Sequence, residues 1–366
     1  MATPSGPPSG DSQQAHHTRR ALSAGGKRLQ KRLLAAVGYA VFAYLVLRLL
    51  PALKQALHSL DHANWVWLLG AIALEVLSES GYVQSWRGIV DPDGLLAADG
   101  RGTRTAARAA WAQLGGGLIL PGGSLASIGV GAWILRHFGM PTKTIAERQF
   151  SLSFLNTGID ALALVVCGVG LGLGVLGNEQ NPLLTWLPAA VAAAGIGAAL
   201  LLARDGVKRA RALHPKHPKL AESIGSVATA VEDTDRVVFH HSSRRSLFGA
   251  LAYLAFDALV LWTAFLAIHA SPIPSFATVL MAYIIGALAG SLPLPAGIGA
   301  VGGIAGMLIL YGVSRPAAIA GVLLYEAVGL LVPVLGGGVA YLFLRREFGP
   351  IKRASDATNV AAEPAG

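Results

Sequence analysis

Six stretches of this 366-residue chain are apolar over 18 or more residues: 33–50, 65–86, 148–174, 183–203, 247–269 and 317–343. As helices, such runs reach across a hydrocarbon core about 30 Å thick. With 53% hydrophobic and only 13% charged residues, against about 25% charged in ordinary soluble domains, the chain reads as an all-α polytopic membrane protein. Two further apolar stretches, 109–135 and 275–310, are broken by Pro and Gly.

Basic residues orient the spans, because Lys and Arg beside short loops stay in the cytoplasm. The formal net charge is +9, and it sits in loops and tails. It is therefore orientation charge rather than a nucleic-acid surface. Residues 1–32 read as a disordered basic cytoplasmic tail, residues 33–346 as the membrane domain, and 347–366 as a second cytoplasmic tail. The long basic loop 204–245 lies inside, and both termini do too. With the N-terminal cluster inside, residues 51–64 fall outside and 87–108 inside. The boundary at Arg136, Lys143 and Arg148 is again inside, so 109–135 must leave and return on one side. The same parity makes 275–310 leave and return on the outer side. A re-entrant hairpin satisfies this; two full crossings would as well. The location expected is a bacterial inner membrane, crossed many times.

The broken stretches resemble each other. "GGGLILPGGSLASIG" (Gly115–Gly129) and "AGSLPLPAGIGAVGG" (Ala289–Gly303) align without a gap, placing Pro121 on Pro295 and Gly123 on Gly297. With one copy entering from each side, this is the pattern of an inverted-topology repeat, whose substrate site lies between the repeats. Gly297, Gly299 and Gly302 carry the spacing G-x-G-x-x-G, but the flanks are membrane segments. The strand and βαβ unit that a dinucleotide fingerprint needs are missing. Broken backbone at membrane depth must instead be buried in protein or line a wet cavity. Pro121, Gly122, Gly123, Pro293, Pro295, Gly297 and Gly299 are thus candidate cavity-lining tips, the alternative being glycines that serve helix packing alone.

Ionisable residues inside spans cost about 2.5–3.5 kcal/mol each on insertion scales and are functional candidates. Here they are Glu75, Glu79, Asp160, Asp257 and Glu326, with no Lys or Arg at comparable depth. Either some carry protons, or they meet a cation: a head group, a proton or a metal ion. The plainer alternative is that each bonds a neighbouring hydroxyl or amide and is structural. "HPKHP" (His214–Pro218) and His240–His241 lack carboxylates or thiols at metal-site spacing. The single Cys167 reads as a small buried hydrophobe. Neither a catalytic constellation nor a cofactor motif is visible, so no enzymatic activity is expected.

Over roughly Leu33–Arg346, and most specifically in its last third, the chain resembles the lysylphosphatidylglycerol synthase transmembrane (flippase-like) family. The resemblance rests on "LPLPAGIGAVGG…LYGVSRPAAIAGVLLYEAVGLLVPVLGG", with Pro293, Pro295, Gly297, Gly299, Gly312, Tyr325, Pro333 and Gly336 at the matching positions; "SWRGIV" and "LPGGSLASIG" are weaker signals. Three positions depart from the family pattern: Ala296 replaces a Gly, Gly302 a Glu, and Glu326 an Arg. The resemblance implies a membrane domain that translocates or holds a lipid and is sometimes fused to a soluble synthase domain, for which this chain has no room. The function expected is lipid translocation, with membrane lipids as partners. The alternative is a non-transporting scaffold for a separate lipid-modifying enzyme. A second copy of the chain and a separate membrane or peripheral enzyme are the protein partners left open.

Overall fold

The computed structural model describes residues 64–97, 103–119, 124–177, 181–213, 241–290 and 298–349. The expected span 33–50, the N-terminal tail, residues 350–366 and the two hairpin tips lie outside the described residues. Among the described residues there are nine α-helices and no strand. They are α1 (Trp65–Val90), α2 (Thr103–Ile119), α3 (Ser124–His137), α4 (Thr142–Gly172), α5 (Pro182–Leu213), α6 (His241–Ala267), α7 (Phe276–Gly290), α8 (Ile298–Leu310) and α9 (Arg315–Phe348). Five of them, α1, α4, α5, α6 and α9, are long and apolar enough to cross a membrane.

Helices outrun the hydropathy boundaries. α4 begins at Thr142 rather than 148, while α5 continues to Leu213 and α6 starts at His241, so both ends of the expected inner loop 204–245 are helical. Hydropathy marks where a chain leaves lipid; the backbone hydrogen-bond ladder continues until a cap ends it. At its start, α1 is capped by Asn64, whose side chain accepts from the Val66 N–H at 3.0 Å.

The two Pro/Gly-broken stretches form antiparallel hairpins. Hairpin one is α2–α3, where a Cβ on Gly116 would press on the Val130 side chain and Ser127 Oγ donates to the Gln113 carbonyl at 2.8 Å. Hairpin two is α7–α8, which meet where Gly286 lies against the backbone of Ile304. The arms hold 17, 14, 15 and 13 residues. At a rise of 1.5 Å per residue the described arms extend about 20–25 Å, against a hydrocarbon core about 30 Å thick.

An internal repeat is written into the turns that follow each hairpin. After α3, the amides of Phe138, Gly139 and Met140 bond to the carbonyls of Ile134, Arg136 and Leu135. After α8, those of Tyr311, Gly312 and Val313 bond to Met307, Ile309 and Leu308, the same offsets in the same order. Gly139 and Gly312 both hold positive φ, 82° and 88°, a conformation that costs a residue without Cβ little. The packing repeats too. Hairpin one precedes α4 and leans on α9; hairpin two precedes α9 and leans on α4.

The long antiparallel contact of α1 with α6 runs through the centre. A Cβ on Gly81 would lie 2.7 Å from the Gly249 carbonyl oxygen, and one on Gly249 would lie 2.7 Å from that of Gly81. The two backbones touch, and small residues allow that approach in membranes. α6 is the most enclosed of the five long helices. Apolar side chains also face outward, including Leu69 and Leu77 on α1, Leu183 and Val191 on α5, and Leu335 and Val339 on α9, because the solvent there is lipid.

Candidate substrate cavity

The α1–α6 contact brings acids together. Glu75 and Glu79 are one turn apart on α1 and 4% and 3% exposed, and Asp257 on α6 is 7% exposed. Glu326 on α9 joins them around a cavity of about 390 Å³. This first cavity is bounded by hairpin one through Leu114, Gly117 and Ser127. Glu75 Oε2 and Glu79 Oε2 are buried and have no hydrogen-bond partner among the described residues. Buried polar atoms are nearly always paired, so two orphaned carboxylate oxygens in one cavity mark a place shaped for something else.

Tyr253 and Tyr325 bring hydroxyls to this cavity, that of Tyr325 engaged with Asp257, and the other described polar groups there are acceptors. Pro333 lines it together with Gly329. Proline has no N–H, so the Gly329 carbonyl one turn back loses its helical donor. The Ser127 hydroxyl gives its proton to the Gln113 carbonyl. Among the described residues no Lys or Arg lines this cavity; Arg108 approaches Glu347 at 3.6 Å, and Arg148 pairs with Asp93 at 3.0 Å. The first cavity therefore suits a ligand that brings donors or positive charge.

Asp257 is the hub. Glu75, Glu79, Asp160 and Glu326 all lie within electrostatic reach of it. Tyr283 on α7 donates its hydroxyl to Asp257 Oδ2 at 2.6 Å, and Tyr325 interacts with the same carboxyl group from α9. Tyr283 belongs to a second cavity of about 560 Å³, formed by α4, α5 and α7. Its polar end carries Asp160 and Thr157, and its walls are Leu164, Leu187, Val191 and Ile284. The five expected acids thus divide four to one.

Hairpin one is pinned by a buried amide network. Gln113 on α2 accepts from Trp86 Nε1 at 2.9 Å and donates to the Tyr82 hydroxyl at 3.2 Å, both on α1. Gln113 and Gln149 of α4 exchange a reciprocal pair of bonds, each 2.9 Å. Against α9, Gly115 and Gly337 meet closely enough that a Cβ on Gly337 would lie 2.5 Å from the Trp111 carbonyl oxygen.

Of the expected tip residues, Pro121, Gly122, Gly123, Pro293, Pro295 and Gly297 lie outside the described residues. Gly299 is in the first turn of α8 rather than in a loop. A Cβ at Gly302 would meet nothing within 4 Å, so a larger side chain has space there. The sequence reading overlooked Tyr283, Tyr253, Ser127 and the Gln113–Gln149 pair. Their one available signal was a polar atom inside an apolar run, which neutral side chains give only weakly.

These features define a multi-pass helical membrane protein with two broken hairpins around an acidic interior. The chain belongs to the lysylphosphatidylglycerol synthase TM region family, whose model matches residues 35–337. That membership ties it to lipid modification or translocation. No curated protein matches the chain.

Proposed function

We propose that the protein translocates a lipid by admitting its head group into the first cavity, and that it moves the lipid without modifying it. The observation that carries this is the pair of orphaned, buried carboxylate oxygens of Glu75 and Glu79 facing a cavity of head-group size. A positively charged group, such as the ammonium of an amine-bearing phospholipid, supplies the missing donors. The phosphate end has a natural place near the start of α3. Ser127 in its first turn lines the cavity, and helix N-termini favour anions. Family membership supports a lipid as the cargo. The membrane is a bacterial inner membrane with both termini in the cytoplasm, which is the orientation the basic loops favour. Protein partners, if engaged, are a second copy or a separate lipid-modifying enzyme.

The test is reconstitution into vesicles carrying head-group-labelled lipids of three classes: amine-bearing, anionic and polyprenyl-linked. Accelerated exposure of the amine-bearing class at the opposite leaflet supports the proposal. Equal rates with and without protein for all three classes reject it and leave the scaffold role, in which the protein co-purifies with an enzyme and moves no lipid.

A further inference from the structure

The linings of the two cavities meet at one hydrogen-bonded pair of side chains. Asp257 lines the first, Tyr283 lines the second, and the two are joined by the 2.6 Å bond from the Tyr283 hydroxyl. The ring of Tyr325, which lines the first cavity, meets that of Tyr283 edge to face at 6.0 Å between centroids and 82° between planes. This bond and this ring pair stand where the linings of the two cavities meet.

Among the described residues the two hairpins are fastened by different groups. At mid-depth hairpin one is held by Gln113 to Trp86, Tyr82 and Gln149, on two long helices. The gapless repeat match, continued two residues back, places Ala287 opposite Gln113, and the later match places Leu323 opposite Gln149. Neither can form such a network. Hairpin two is tied at mid-depth by Tyr283 to Asp257, and at its far end by the Tyr311 hydroxyl to the Leu184 carbonyl at 2.9 Å. The Tyr283–Asp257 bond between the cavities therefore also holds hairpin two, together with Trp262 Nε1, which donates to the Pro274 carbonyl at 3.1 Å just before α7.

We propose that Tyr283 is the gating residue between the two cavities, latched by Asp257, and that a cationic group arriving at Asp257 in the first cavity releases it. This rests on the translocation proposed above and extends it to the step between cavities. The carboxylate that would attract the cargo is the acceptor of the latch, so arrival of positive charge competes directly with the tyrosine proton for Asp257 Oδ2. Asp160 stands at the polar end of the cavity on the far side. Hairpin two swings and hairpin one stays fixed.

The experiment compares wild type with Tyr283→Phe in vesicles containing an amine-bearing phospholipid, and follows backbone hydrogen exchange of both proteins in nanodiscs. Tyr283→Phe keeps the ring and loses only the latch. The expected result is translocation faster by about fivefold, the equivalent of one net hydrogen bond. Exchange should quicken in α7 and α8 and stay unchanged in α2 and α3, with the same amount of lipid retained on purification. Unchanged transport and unchanged α7 exchange overturn the gate. Faster exchange with slower transport and less retained lipid assigns Tyr283 a merely structural role and also overturns it. A wild type that moves no lipid defeats the translocation proposal itself, and the gate with it. Asp257→Leu serves as the second variant: it removes the acceptor oxygen as well as the charge, so it should quicken α7 exchange like Tyr283→Phe, yet lower transport because the cargo loses its charge partner. Wild-type exchange in that variant also counts against the latch.

Discussion

Replacing Gln113 with Leu removes a side chain of similar size that makes four buried bonds, at 2.9, 3.2, 2.9 and 2.9 Å, to Trp86, Tyr82 and, twice, Gln149. Interhelical hydrogen bonds in membrane proteins average about 0.6 kcal/mol each, so four contribute about 2.4 kcal/mol. Counting stranded residues instead, three at the lower end of about 1–3 kcal/mol each cost about 3 kcal/mol. The two routes agree. For a chain of this size that is a fall in melting temperature of about 3–4 °C, measurable as heat-induced loss of the monodisperse peak in detergent. Gly131 provides the cross-check. A Cβ there would collide with the Gln113 carboxamide oxygen, so Gly131→Ala forces the amide out of its network. In a Gln113→Ala background that collision is gone. Gly131→Ala should then cost little, giving an interaction energy of about 1 kcal/mol or more in a double-mutant cycle. Strictly additive losses, or a Gln113→Leu protein as stable as wild type, would refute the claim that this network pins hairpin one.

Other consequences are as direct. Gly337→Ala should destabilise by about 1–3 kcal/mol through overpacking against the Trp111 carbonyl and Gly115, whereas Gly302→Ala, with open space around it, should leave the melting temperature unchanged in the same thermal assay. Glu75→Gln and Glu79→Gln should each lower lipid transport at least tenfold while leaving stability equal or higher, since they relieve the repulsion among buried acids, a trade of function against stability; a parallel loss of both in transport and melting assays would make these residues structural. Arg148→Ala removes the 3.0 Å pair with Asp93, which is 76% exposed on that side, so chemical denaturation should register no more than about 1 kcal/mol.

What could be read in the sequence follows from what changes the cost of lying in lipid. A carboxylate inside an apolar run is expensive wherever the chain folds, so Glu75, Glu79, Asp160, Asp257 and Glu326 stood out. Clustered prolines and glycines at the middle of two apolar stretches exposed both hairpins, and their gapless alignment exposed the repeat that the turns at Gly139 and Gly312 display. The grouping of the acids was not legible. Helical periodicity gives the face a residue occupies on its own helix, not which helix faces it, and so it could not set Asp160 in a separate cavity. Gln113 and Tyr283 carry no formal charge. Each costs little in an apolar run, and their roles come from partners 36 and 26 residues away. Helix ends were missed by several residues, as at Thr142, because they depend on capping and not on hydropathy.

The most direct measurement of the central claim is native mass spectrometry of the lipid retained by purified protein, wild type against Glu75→Gln/Glu79→Gln. A head group seated in the first cavity predicts one amine-bearing lipid per wild-type chain, surviving delipidation, and its loss from the double variant with the fold intact. Equal retention by both proteins, or none above the annular lipid background in the wild type, would contradict it.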